Sequence, residues 1–271
     1  TQHYGERLKA QVEQEQTQVS PERVVLADVA HDHNQRKGIS MDGGMVNIRG
    51  EGWKEMKAGA VFDIDLRLER DPRTREWTEM AHGVNIAYTA VLGSVSQFAP
   101  ALWALAVKSD IPQAAHSSVT ADGAEWIWAL VPDYFPDSVQ IVDWFHATHH
   151  LADAARALYP ADDTQAQTWF THRLDDLFAG SIHKITMPLD RAGLTDHSHY
   201  FHTHRRRMQY LDFREQGFPI GSGTIESGIK QFLTRLAGPG MRWSRPGAER
   251  MAVLRAAVLG PEFDRLWCLA A

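Results

Sequence analysis

The stretch Gly221-Ser222-Gly223-Thr224-Ile225-Glu226-Ser227-Gly228-Ile229-Lys230 restricts the fold of this chain more than any other, because a glycine-punctuated turn runs there straight into an amphipathic pattern. Ser222 or Thr224 can cap a helix, and Gly221 and Gly223 free the turn of side-chain clashes. Ile225, Ile229, Phe232, Leu233 and Leu236 then recur at helical spacing. The predicted helix lays that stripe on a core and presents one carboxylate, Glu226, in its first turn. Glu226 and Lys230 stand at the spacing of an ordinary surface ion pair. A glycine on each side of the cap is more than such a pair needs, since each costs backbone entropy, and together they point to a close approach by another backbone or a phosphate.

With 271 residues, 44% of them hydrophobic, the chain can build one large domain or a domain with an insertion. Its nine tryptophans belong mostly to that core. The single cysteine, Cys268, excludes internal disulfides and a cysteine-based zinc ribbon, and fits a reducing compartment. Apolar stretches such as Phe98 to Val107 are too short to span a bilayer, and the polar N-terminus has no signal-peptide pattern. The expected location is cytoplasmic, with no membrane partner. The formal charge of −6 argues against nucleic-acid binding by the whole surface. Positive charge collects late, however, in Arg205, Arg206, Arg207, Arg214, Lys230, Arg235, Arg242, Arg245, Arg250 and Arg255, so a basic face remains open. The chain starts without Met in a polar helical run, Glu6 to Gln18, and reads as a piece of something longer.

Residues 1–37 form a helical lead-in that includes a short apolar run, Val24 to Ala27. Residues 38–158 read as the first part of an α/β core. Strands are expected at Gly38 to Val46, ending in an Asp42-Gly43-Gly44 turn, at Trp53 to Leu68 and at Ala81 to Val95, the three forming an antiparallel meander. A buried helix at Phe98 to Val107 follows, then a strand at Ser118 to Gly123, a helix from Ala124, a strand at Val139 to Asp143 and a helix at Trp144 to Leu158. The order is β-β-β-α-β-α-β-α. Residues 159–216 read as a helical insertion, and residues 217–271 return to the core with the Glu226 helix and a last helix at Ala248 to Leu259. On an extended strand, alternate members of the run His197 to His204 would share a face able to hold zinc, although no carboxylate or cysteine partner is fixed nearby.

Asp42 and Asp122 each end a predicted strand, and Glu226 opens a helix. If the first and fourth strands are neighbours, both aspartates face one cleft, and a helix packed across that edge adds the third carboxylate. Three clustered carboxylates repel unless a cation sits among them, and hard oxygen ligands favour Mg²⁺ or Mn²⁺ over zinc. Two such ions activate a water or hydroxyl nucleophile and stabilise the leaving oxygen of a phosphoryl displacement. The element order is that of the ribonuclease H-like fold, which carries metal ligands on its first strand, fourth strand and last helix. Asp143 ends a strand as well and competes for the second place; Asp122 is preferred because its strand is expected beside the first.

These motifs, Ser40-Met41-Asp42-Gly43-Gly44-Met45-Val46, Trp53 to Phe62, Asp122-Gly123-Ala124-Glu125-Trp126-Ile127-Trp128, Asp143-Trp144-Phe145-His146 and Gly221 to Ser227, resemble in type and order those of the ISKra-type insertion-sequence transposases. These are DDE transposases related to the Mutator and hAT groups. The resemblance runs from about Ile39 to Leu266. It implies Asp42, Asp122 and Glu226 as catalytic metal ligands, two Mg²⁺ or Mn²⁺ ions, and Asp143 and His146 as an auxiliary pair beside the cleavage point. It also implies DNA as partner, a second protomer when DNA is bound, and a nucleoid-associated location.

Arg205, Arg206, Arg207, Lys230, Arg242 and Arg245 are the expected phosphate contacts, with Trp243 available for base stacking. Trp126 and Trp128 read as core. The expected activity is metal-dependent DNA strand cleavage and strand transfer at transposon ends. A structure-specific nuclease of the same fold, or an inactive DNA-binding descendant, would share most of these features.

Overall fold

The computed structural model describes residues 2–19, 35–71, 74–261 and 263–270. The apolar run Val24 to Ala27 lies outside them. Helix α1 (Gln2–Thr17) precedes three strands, β1 (Arg36–Ile48), β2 (Gly52–Arg70) and β3 (Trp77–Val91). Then follow α2 (Val95–Lys108), β4 (His116–Ala121), α3 (Glu125–Tyr134), β5 (Val139–Val142) and α4 (Trp144–Leu158). Helices α5 (Asp163–Phe178), α6 (His183–Arg191), α7 (Thr195–His204) and α8 (Tyr210–Glu215) lead to α9 (Gly223–Leu236), α10 (Arg245–Leu259) and α11 (Phe263–Ala270).

The strands form one mixed sheet in the order β3-β2-β1-β4-β5. The first three pair antiparallel as a meander, and β4 and β5 add on in parallel. Parallel neighbours need crossover connections, which α2 and α3 supply. Side chains alternate between the faces of β1. Ile39 and Met41 enter a core formed with α2, α3, α4 and residues of α5 to α8, while Val46 and Ile48 enter a second core under α9 and α10. Helices therefore cover both faces.

Two expectations change. Strand β1 does not turn at Asp42-Gly43-Gly44 but continues to Ile48, with Gly43 and Gly44 paired to Lys57 and Met56. Gly44 has a packing reason: a Cβ there would lie 3.0 Å from the Leu233 side chain, so its absence lets α9 settle onto β1. The third strand ends at Val91 rather than Val95, because Ser94 and Gln97 form a capping box that starts α2.

The histidine run is helix α7, not an extended segment. Ser198, Phe201 and His204 recur every third residue and turn into the core, a helical signal that outweighs the alternating histidines. His197 and His199, and likewise His202 and His204, consequently do not share the faces a strand would have given them. No described helix is long and apolar enough to cross a membrane.

Candidate metal centre

The register of the parallel strands sets the site. Met41 pairs with Ala121 across β1 and β4, and Ala121 pairs with Val142 across β4 and β5. The next residue on each strand is an aspartate, so Asp42, Asp122 and Asp143 stand side by side at the carboxyl end of the parallel strands. Asp42 shares the parity of Gly44, Val46 and Ile48, which places it on the face that α9 covers. Helix α9 begins over that edge and contributes Glu226 from its first turn.

Asp143 is fully buried and its carboxylate is engaged on both oxygens. Oδ1 accepts the His146 N–H at 2.7 Å, which caps α4, and lies 3.1 Å from His146 Nδ1. Oδ2 accepts the Ser222 N–H at 2.5 Å and the Ser222 hydroxyl at 2.9 Å. Burial pushes the Asp143 carboxyl up, but the hydrogen bonds from His146 and Ser222 together outweigh it and hold the group below its ordinary range. The hydrogen bond to Asp143, against the opposing effect of burial, raises the half-buried His146.

Ser222 does not cap α9 through its side chain. Its hydroxyl sits between Asp143 Oδ2 and Glu226 Oε1, the latter 3.1 Å away. A hydroxyl has one proton to give, and two carboxylate oxygens compete for it. Glu226 makes no ion pair with Lys230 among the described residues, so the surface-pair reading of that spacing falls away. Gly221 lies against the Phe145 ring, whereas the space beside Gly223 is open. The neighbour of Gly221 is therefore an aromatic ring and not another backbone.

The other carboxylates are less occupied. Asp42 Oδ1 accepts the Gly43 N–H at 2.6 Å, and Asp122 Oδ1 accepts the Ala124 N–H at 2.9 Å. Among the described residues, Oδ2 of Asp42, Oδ2 of Asp122 and Oε2 of Glu226 accept no hydrogen bond. Burial, with the charges of Asp122 and Glu226 added, raises Asp42 to about 6 against the Gly43 hydrogen bond and the charge of His146. Hard carboxylate oxygens of this kind suit Mg²⁺ or Mn²⁺, and the charges of Asp122 and Glu226 are felt at Asp42, but among the described residues Asp42, Asp122 and Glu226 are not a set whose ligand atoms all lie within 4.8 Å of one another. Ligand atoms of Asp143, His146 and Glu226 do come within 4.8 Å of one another and could hold an ion by proximity. The saturation of Asp143 speaks for it as the group that positions the others.

The chain matches no protein-family model, and no curated protein matches it either. What the site can do therefore rests on its own chemistry.

The expected phosphate contacts divide. Arg205 and Arg206 are exposed on a 3-10 turn, Arg205–Arg207, and line a cleft of about 710 Å³ with Gln140 and Phe213 at the β5 edge. Arg207 is partly committed: its Nε donates to Gln140 Oε1 at 2.8 Å and its guanidinium lies 4.5 Å from the Trp128 ring. Lys230 and Arg242 are exposed. Arg245 pairs with Glu51 through both of its carboxylate oxygens. Trp243 is not a free stacking surface. Its backbone bonds to Asn47 and Arg49, its indole N–H donates to Leu236 O at 2.8 Å, and its ring packs on the second core. Trp128 is buried and Trp126 packs on the first core, as their apolar surroundings in sequence predict.

Sequence reasoning missed Tyr200. Its ring fills the space beside Gly123, where a Cβ would lie 2.7 Å away, and stacks on His150 at 3.7 Å. Its buried hydroxyl has no partner among the described residues, and burial, then the charges of Asp122 and Asp143, raise its pKa. The signal that could have found it is Gly123, a glycine directly after a site aspartate.

Proposed function

We propose that this chain is the catalytic core of a metal-dependent DNA transposase of the DDE type, with a ribonuclease H-like fold. The observation that carries the reading is the register that sets Asp42 and Asp122 on adjacent parallel strands, with Glu226 supplied by the helix laid over the same edge. The sheet order, an antiparallel meander extended by two parallel strands, supports the fold assignment. The motif resemblance to ISKra-type transposases supports the choice of DNA over other phosphodiesters.

Asp42, Asp122 and Glu226 would hold two Mg²⁺ or Mn²⁺ ions, which when bound supply Lewis-acid charge to the attacking and leaving oxygens. Asp143 fixes the first turn of α4 and the start of α9 relative to each other. His146, whose pKa the hydrogen bond to Asp143 raises, would donate a hydrogen bond to a phosphate oxygen when protonated. Water attacks the phosphorus at an element end and releases a 3′-hydroxyl, which in turn attacks target DNA. Arg205, Arg206, Lys230 and Arg242, exposed and in no ion pair among the described residues, would contact the flanking backbone. Cutting two ends calls for a second protomer.

The test is Mn²⁺-dependent nicking of labelled DNA by wild type and by Asp42→Ala, Asp122→Ala, Asp143→Ala and Glu226→Ala. Loss in all but Asp143→Ala, with residual activity there, is expected. An active Asp122→Ala beside a folded but dead Asp143→Ala would reverse the ligand assignment. Nicking without joined products would point to a structure-specific nuclease, and the absence of both nicking and Mn²⁺ binding would point to an inactive descendant.

A further inference from the structure

We propose that Phe145 is a stacking platform for the nucleobase next to the phosphate handled at the acidic row; the inference rests on the DNA-processing reading above. Phe145 follows the buried Asp143 by two residues, yet its side chain is 59% exposed. Its neighbour Trp144 turns inward, edge-on to Phe178 and Tyr210, so α4 sends one aromatic into the core and leaves the next exposed. A Cβ placed on Gly221 would lie 3.3 Å from the Phe145 ring and 3.8 Å from Asp143 Oδ2. The ring therefore rests against the same backbone segment that holds Asp143, and it reaches the acidic row within the span of one nucleotide.

Single exposed apolar side chains are common and by themselves mean little. This one lies against Gly221, at the turn whose next residue, Ser222, bonds both Asp143 and Glu226. A ligand that satisfies both halves must offer a phosphate for a cation among the carboxylates and a flat apolar face for the ring. A nucleotide does both. Sequence tolerance follows, because every base has a face to stack.

The experiment uses the full chain with single-stranded and duplex oligonucleotides carrying 2-aminopurine, in Ca²⁺ to occupy oxygen ligands. Wild type should quench the probe's fluorescence on binding. Phe145→Trp should keep the quenching, whereas Phe145→Leu and Phe145→Ala should lose it and bind about tenfold more weakly, with unchanged thermal stability. If wild type binds and quenches but Phe145→Ala does the same, the stacking role is overturned while the DNA reading stands. If Phe145→Ala alters only the mass in light scattering, the ring is a contact between copies and the proposal is again overturned. If wild type binds none of the oligonucleotides, the DNA reading itself fails.

Discussion

Ser222 gives its backbone N–H and its hydroxyl to the same oxygen of Asp143, 79 residues earlier in the chain, at 2.5 and 2.9 Å. A fully buried carboxylate thereby ties the strand end that launches α4 to the turn that launches α9. Because the same hydroxyl also reaches Glu226, the position of the third carboxylate of the site depends on Asp143.

Replacing Asp143 should cost stability before it costs chemistry. Asp143→Ala strands the N–H groups of Ser222 and His146, and an expected loss of about 3 kcal/mol follows from leaving such donors unpaired in the interior. Asp122→Ala removes only the acceptor for Ala124 and should lose less than about 1 kcal/mol while abolishing Mn²⁺ binding. Urea denaturation paired with calorimetry separates the two; equal stability losses would remove the distinction drawn between them.

Asp42 predicts a pH dependence. Its folded-state pKa, about 6, stands above the ordinary value of 3.8, so the folded chain binds this proton more tightly than the unfolded one. The associated stability is complete below about pH 4 and is lost as pH rises towards 6. Other carboxylates titrate oppositely, Asp143 among them, so the measurement is the difference between wild type and Asp42→Asn in metal-free buffer. Relative to the variant, wild type should weaken between pH 4 and 6. Mn²⁺ binding should release protons at pH 6 and few at pH 8; a pH-independent difference between the two proteins would rule this out.

The seating of α9 on β1 gives a packing test. Gly44→Leu inserts a side chain where Leu233 already lies, and overpacking of this kind costs about 1–3 kcal/mol. Displacing α9 also moves Glu226, so Mn²⁺ affinity should fall by about tenfold in the protein that remains folded. Retained affinity would mean that the loop at Ser222, and not the body of α9, positions Glu226.

Arg205 and Arg206 should behave differently from Trp243. The double variant Arg205→Gln/Arg206→Gln is expected to leave the melting temperature unchanged and to lower DNA affinity, reducing the slope of log K against log salt by about two. Trp243→Ala should instead destabilise by about 2–3 kcal/mol, because the indole closes the α9–α10 loop onto β1 and packs on the second core. A stable Trp243→Ala with weakened DNA binding would restore the stacking role.

What could be read from the sequence follows the range of the interactions. The order of strands and helices was accessible because hydrophobic period and turn residues are local signals, whereas the neighbouring of Asp42 and Asp122 depends on the non-local pairing of β1 with β4, which the sequence reading had to assume. The partners of Asp143 were not, since its four hydrogen-bonding contacts include two from a turn 79 residues away. Trp243 misled because a tryptophan between arginines looks the same whether the loop is free or folded back onto a strand. In α7 the conspicuous histidines alternate, but the quieter spacing of Ser198, Phe201 and His204 decides the conformation.

The pairing of β1 with β4 joins Arg36 to His116 and Met41 to Ala121 across a chain segment that contains the whole β2–β3 meander. Glu226 follows in the chain helices α5 to α8, which pack into the first core. Non-local closures of this kind slow folding and come late in it. No short piece of the chain carries the donor set, so during refolding, affinity for a divalent ion should appear with the last structural transition. Mn²⁺ uptake would then serve as a clock for the completed fold.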